Sequence, residues 1–169
     1  WRDRRRDGGI VMDVRTGEIV CAGLSMPHSP RWYRERLWLL EAGSGYFGYV
    51  DPDSGRFERL TFCPGFLRGL AFTGDYALVG LSAARENRTF SGLELDDNLE
   101  KHSTDARCGI QVINLNTGHA EHWLRMEGLV RELYDVLVLP QTQRPLLIGV
   151  QKEEVRKMIS IEPEASDEV

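Results

Sequence analysis

The chain has 169 residues, with 21 Lys+Arg against 26 Asp+Glu and a formal charge of −5 at pH 7. At 41% hydrophobic and 28% charged residues it is too apolar for a disordered chain, and its apolar runs are too short for a membrane-spanning helix. Its acidity argues against a general nucleic-acid binder, so a soluble, acidic, packed domain remains, with neither nucleic acid nor membrane among its expected partners.

Trp1-Arg2-Asp3-Arg4 opens the chain with no Met and no signal-peptide core, so the sequence is expected to be a piece of a longer protein. Arg2, Arg4, Arg5 and Arg6 form a local basic cluster. A first β-rich run, Gly9-Ile10-Val11-Met12-Asp13-Val14-Arg15-Thr16-Gly17, then leads into Glu18-Ile19-Val20-Cys21. An Asp side chain can accept backbone N–H bonds within a turn and Gly takes its positive-φ position, so this segment predicts a β-hairpin. Two more extended stretches follow, Ser29-Pro30-Arg31-Trp32-Tyr33 and Arg36-Leu37-Trp38-Leu39-Leu40.

The same grammar then recurs. Gly48-Tyr49-Val50-Asp51-Pro52-Asp53-Ser54-Gly55 leads into Arg56-Phe57-Glu58-Arg59-Leu60, then Arg68-Gly69-Leu70-Ala71-Phe72 and Tyr76-Ala77-Leu78-Val79-Gly80-Leu81. A third copy runs from Gly109 through Asn114 and Thr117-Gly118 into His119-Ala120-Glu121-His122-Trp123-Leu124, followed by Tyr134-Asp135-Val136-Leu137-Val138 and Pro145-Leu146-Leu147-Ile148-Gly149-Val150. Asp13 and Asp51 are 38 residues apart, and the longer step of 63 to Asn114 is accounted for by residues 83–107, a polar stretch expected to be a long inter-strand loop.

Four short antiparallel strands repeating at about 40 residues are the signature of a β-propeller blade. The expected fold is therefore all-β: a partial β-propeller over residues 1–161, with about three four-stranded blades. Closed rings have about 4–8 blades, so this would be part of a larger ring, a six-bladed one being among the options. A β-sandwich is the alternative. Local propensity also allows helices over Arg34 to Glu41 and Leu129 to Leu137. Residues 162–169 are acidic, contain a Pro and lack periodicity, which predicts a disordered tail.

Cys21, Cys63 and Cys108 are odd in number and widely spaced, which favours buried reduced thiols in a cytoplasmic protein over disulfides or zinc. His119 and His122, three apart on a strand, point to opposite faces and do not make a metal pair. His102 lies in an acidic segment without the spacing of a calcium loop. No phosphate-binding loop or nucleophile elbow is present. Aromatic side chains including Trp32, Trp38 and Trp123 are expected to pack between blades.

In a propeller, the loops entering the innermost strands meet at the central channel. Here those positions hold His28, Ser29, Arg68, Glu132 and Asp135, an imidazole, a hydroxyl, a guanidinium and two carboxylates suited to an anionic or sugar-like ligand or to a cation. The alternative is purely structural: Arg68 pairs with Glu132 or Asp135, and His28 caps a turn.

The strings Leu24-Ser25-Met26-Pro27-His28-Ser29-Pro30-Arg31-Trp32, Leu37-Trp38-Leu39-Leu40-Glu41-Ala42-Gly43-Ser44-Gly45, Pro64-Gly65-Phe66-Leu67-Arg68-Gly69-Leu70-Ala71-Phe72 and Gly128-Leu129-Val130-Arg131-Glu132-Leu133-Tyr134-Asp135-Val136 make the chain resemble the bacterial family catalogued as domain of unknown function 4915. The resemblance spans about Gly8 to Ile161 and implies a propeller-like fold and a longer parent chain, but no chemistry. The expected function is non-catalytic binding of a protein or small ligand at the channel mouth, without a cofactor. The alternative is an enzyme of lactonase or strictosidine-synthase-like type, in which a divalent cation polarises the substrate.

Overall fold

The computed structural model describes residues 2–83 and 92–145. The expected strand at Pro145 to Val150 lies almost wholly outside the described residues, and residues 84–91 and the acidic tail lie fully outside them. Residues Trp1–Val138 form one compact unit. Leu139–Val169 form a second, described only over residues 139–145, where a turn places the Thr142 hydroxyl in donating distance (3.2 Å) of the Pro140 carbonyl.

The first unit is mostly β. A short 3-10 turn, Arg2–Arg4, precedes β1 (Gly9–Met12) and β2 (Ile19–Leu24), which pair as a two-stranded sheet. Strands β3 (Pro27–Tyr33), β4 (Arg36–Glu41), β5 (Tyr46–Asp51) and β6 (Arg56–Phe62) form a second sheet. Strands β7 (Phe66–Thr73), β8 (Tyr76–Ser82), β9 (Cys108–Asn114) and β10 (Ala120–Met126) form a third. Neighbours within each sheet are consecutive in sequence and antiparallel, so every sheet is an up-and-down meander. The two segments open to a helical reading do not form helices: one is β4, whose apolar run is buried on both faces.

The three repeat turns are equivalent. Asp13, Asp51 and Asn114 each accept a backbone N–H two residues on, from Arg15 (2.8 Å), Asp53 (3.1 Å) and Asn116 (2.9 Å). Each also accepts at its backbone carbonyl, from Gly17, Gly55 or Gly118, whose φ values of 75°, 64° and 72° lie where a side chain would be strained. The turns join β1 to β2, β5 to β6 and β9 to β10.

Packing follows the two-residue period of the strands. Trp38 and Leu40 of β4 join Phe47, Leu67, Leu70, Val79 and Ile113 in one core between the two four-stranded sheets. Leu39, between them in sequence, faces the other way and packs with Cys21 and Leu24 of β2. The middle sheet is thus buried on both faces, and the stacking order is hairpin, sheet, sheet. Trp38 lies against Phe47 and Phe72 in the larger core, with ring centroids 5.1 and 5.9 Å away, as expected for a packing aromatic. Trp32 and Trp123 are exposed instead, because they sit on strand faces that no described element covers.

Two expectations need correction. The stretch 83–107 is not all loop: it contains helix α1 (Glu94–Lys101), whose Leu95 is fully buried. The segment Tyr134 to Val138 forms no strand and pairs with none among the described residues. It is nonetheless anchored, because the residues before it bond to the end of β8: Ala83 N–H donates to the Arg131 carbonyl (2.9 Å), and Leu133 N–H donates to the Ser82 hydroxyl (3.0 Å).

Candidate functional site

Strands β3 and β7, the first strands of the two larger sheets, run beside each other and make more contact than any other pair of strands between those sheets. Each has a bulge near its start. In β3 the ladder slips between His28 and Arg31, with Ser29 at φ 52°; in β7 it slips between Leu67 and Leu70, with Gly69 at φ 87°. A bulge re-aims the side chains beside it, and two equivalent bulges on adjacent strands bring His28 and Arg68 to one place.

The bulges are bonded together. Gly69 N–H donates to the Ser29 hydroxyl (3.0 Å), and a Cβ at Gly69 would stand 2.6 Å from the backbone of Asp135 and Val136. Ser29, Gly69 and Asp135 therefore meet, one from each of three successive segments. The Arg68 guanidinium lies 4.5 Å from the Tyr134 ring centroid, a cation–π contact.

Of the five residues expected at the site, four converge. The structural alternative for Arg68 is not the arrangement seen: Asp135 pairs with Arg31 at 3.7 Å, while Arg68 stacks on Tyr134. His28 lies inside strand β3, opposite Leu40, rather than capping a turn. Glu132 is exposed and sits nearer Cys108, whose thiol is pushed up by burial first and by the Glu132 charge second.

His28 and Arg68 face a cavity of about 450 Å³. Its polar lining is Arg4, Arg5, Arg68, His28 and Ser82, and its apolar wall includes Met26, Phe66 and Leu67. Among the described residues no Asp or Glu lines it. The half-buried imidazole is held below its ordinary pKa by burial and then by the Arg68 charge, so it is biased towards neutrality. The Arg5 backbone is fixed in the wall by the Ser25 hydroxyl, which donates to its carbonyl (3.0 Å). Arg4 lies at the rim and forms an exposed pair with Asp7 at 3.8 Å. Arg4 and Arg5 belong to the basic cluster visible in the sequence, but nothing in their spacing placed them beside His28. Tyr134, Met26 and Phe66 were likewise legible only as strand residues.

A second cavity, of about 530 Å³, lies between the end of α1 and residues 125–131, and mixes Arg107, Arg125 and Arg131 with Asp105 and Glu127. Its charges are partly spent on each other, as in the Arg125–Glu127 pair at 2.9 Å. Among the described residues no group of three or more His, Cys, Asp or Glu side chains is placed to hold a metal ion, so the carboxylate–imidazole ligand set needed by the metal-assisted reading does not assemble there. No described helix is long and apolar enough to cross a membrane. All three cysteines are buried free thiols.

Meander sheets stacked around paired bulges define a repeat-built β protein with a cationic cavity at the starts of its first strands. The chain belongs to the family of the domain of unknown function DUF4915, whose model matches residues 1–148. A search of curated proteins found no match.

Proposed function

We propose that this chain is part of a β-propeller whose channel mouth binds a small ligand without transforming it. The propeller reading is supported by three equivalent hairpin turns, by two sequential four-stranded meanders stacked face to face, and by the convergence of Ser29, Gly69 and Asp135 from successive segments. A Greek-key sandwich would need crossovers that these sheets lack.

The observation that carries the binding reading is the cavity lined by His28 and Arg68. Its volume of about 450 Å³ falls within the roughly 300–1,000 Å³ range of small-molecule sites, and its mix of apolar wall and few polar groups is what such sites use. A general acid or base has to be positioned, and His28 is shifted by burial first and by the Arg68 charge second, with no carboxylate of the described residues among the causes. The three buried thiols suit a reducing compartment such as the cytoplasm.

Ligand-observed NMR with a fragment library tests this reading. Hits should bind, perturb the Met26 methyl signal and be recovered unchanged after prolonged incubation. Hits that perturb only other regions, or that are consumed, contradict it.

A further inference from the structure

We propose that the cavity at the starts of β3 and β7 selects a small organic anion, a carboxylate or phosphate head carried on an apolar body. This deepens the ligand-site reading above and rests on it.

The first argument is charge. Arg4, Arg5 and Arg68 line the cavity with His28, and among the described residues no acidic side chain does, in a chain whose formal charge is −5. The cavity thus has the opposite sign to the molecule, and a concave site of one sign concentrates its counter-ion. Among the described residues, Asp7 competes at the rim through its exposed pair with Arg4.

The second argument is the relation between His28 and Arg68. Burial, and after it the Arg68 charge, oppose protonation of the half-buried imidazole. An anion between them offsets the Arg68 contribution and gains a cationic donor in the guanidinium beside an imidazole N–H, whereas a neutral guest does not draw on the charge. The planar arginine fork also matches a carboxylate or phosphate in bidentate geometry.

The third argument is preorganisation. Arg68 is held over Tyr134, its strand is bonded to β3 through Gly69 and Ser29, and the Arg5 backbone is tied to Ser25. The Arg68 guanidinium and the backbone that carries Arg5 are therefore placed before any ligand arrives, which reduces the ordering cost of binding. Met26 and Phe66 provide an apolar wall that a bare inorganic ion would leave uncovered.

Met26 is one of four methionines, so its methyl group, assigned with Met26→Leu, gives a reporter inside the cavity. The full chain is titrated with benzoate, phenyl phosphate, benzamide and inorganic phosphate. Benzoate and phenyl phosphate should shift the Met26 signal saturably and bind about tenfold tighter than benzamide, the worth of one charge-assisted contact. Arg68→Gln should remove most of that preference, and Arg68→Lys should restore part of it. Benzamide binding as tightly as benzoate overturns the anion preference but leaves the cavity a ligand site. Inorganic phosphate matching phenyl phosphate overturns the apolar body. If none of the four moves the Met26 signal, the ligand-site reading falls with the proposal. The comparison of charged and neutral compounds uses the unaltered chain, so it stands even if Arg68→Gln does not fold.

Discussion

Gly69 shows how much of the site rests on single atoms. Its φ of 87° lies where a Cβ is strained, and the nearest backbone atoms, from Asp135 and Val136, are 2.6 Å from where that Cβ would be. Backbone cannot step aside as the end of a flexible side chain can. Gly69→Ala should therefore destabilise the protein by about 1–3 kcal/mol, read as a lower urea midpoint at unchanged slope. An unchanged midpoint would mean that the 134–138 segment does not pack on this bulge. His28, Ser29, Arg68 and Asp135 were legible as a cluster because the repeat register aligns them. Glu132 was not separable from them, since register alone does not say which side of an irregular segment a residue takes. Pairing Arg68 with a carboxylate was the simplest expectation from charge, and it failed because Tyr134 lies nearer the guanidinium while Arg31 holds Asp135.

Helix α1 is the element that sequence patterning passed over. Its signals were present: Glu94, Asp96 and Asp97 in the first turn and Lys101 in the last suit the helix dipole, with Leu95 and Leu99 one turn apart. At only eight residues it draws little stability from propensity and is held by docking. Leu95 N–H donates to the Gly43 carbonyl (2.9 Å), Asn98 donates to the Ser44 carbonyl (2.9 Å), and Arg59 bridges Glu94 (2.6 Å) to the buried Glu41 (2.9 Å). Glu41 also accepts from the Ser25 N–H and the Ser44 hydroxyl, which gives the string Leu39-Leu40-Glu41-Ala42-Gly43-Ser44-Gly45 a structural reason.

The same bridge predicts acid sensitivity. The Arg59 hydrogen bonds hold the Glu94 carboxyl below its ordinary value of 4.5, so the folded state favours its ionised form. That contribution is complete above 4.5 and is lost as pH falls through the lower folded value. Amide exchange in α1 should accelerate relative to β4 and β8 over that acidic interval. In Arg59→Gln exchange in α1 should already be faster at neutral pH, and its extra acceleration in acid should shrink. Exchange in α1 that tracks the strands throughout would contradict the docking role.

At the scale of the whole molecule, the period of about 40 residues was readable because every copy needs the same turn chemistry, an Asp or Asn acceptor and a positive-φ Gly. The stacking of hairpin and sheets followed from strands such as β4 that are apolar on both faces. The cavity was not readable, because Arg4 and Arg5 reach it from the segment before β1, outside the repeat. The central claim joins these levels: successive sheets arrayed about one axis bring their bulges together, and the cavity beside the bulges binds a ligand. The most direct measurement is a crystal structure of the protein with a bound benzoate. The account predicts benzoate between His28 and Arg68, against Met26 and Phe66, with β3, β7 and residues 134–138 around a common axis. Benzoate bound elsewhere, or the sheets closed into a two-layer sandwich, would contradict it.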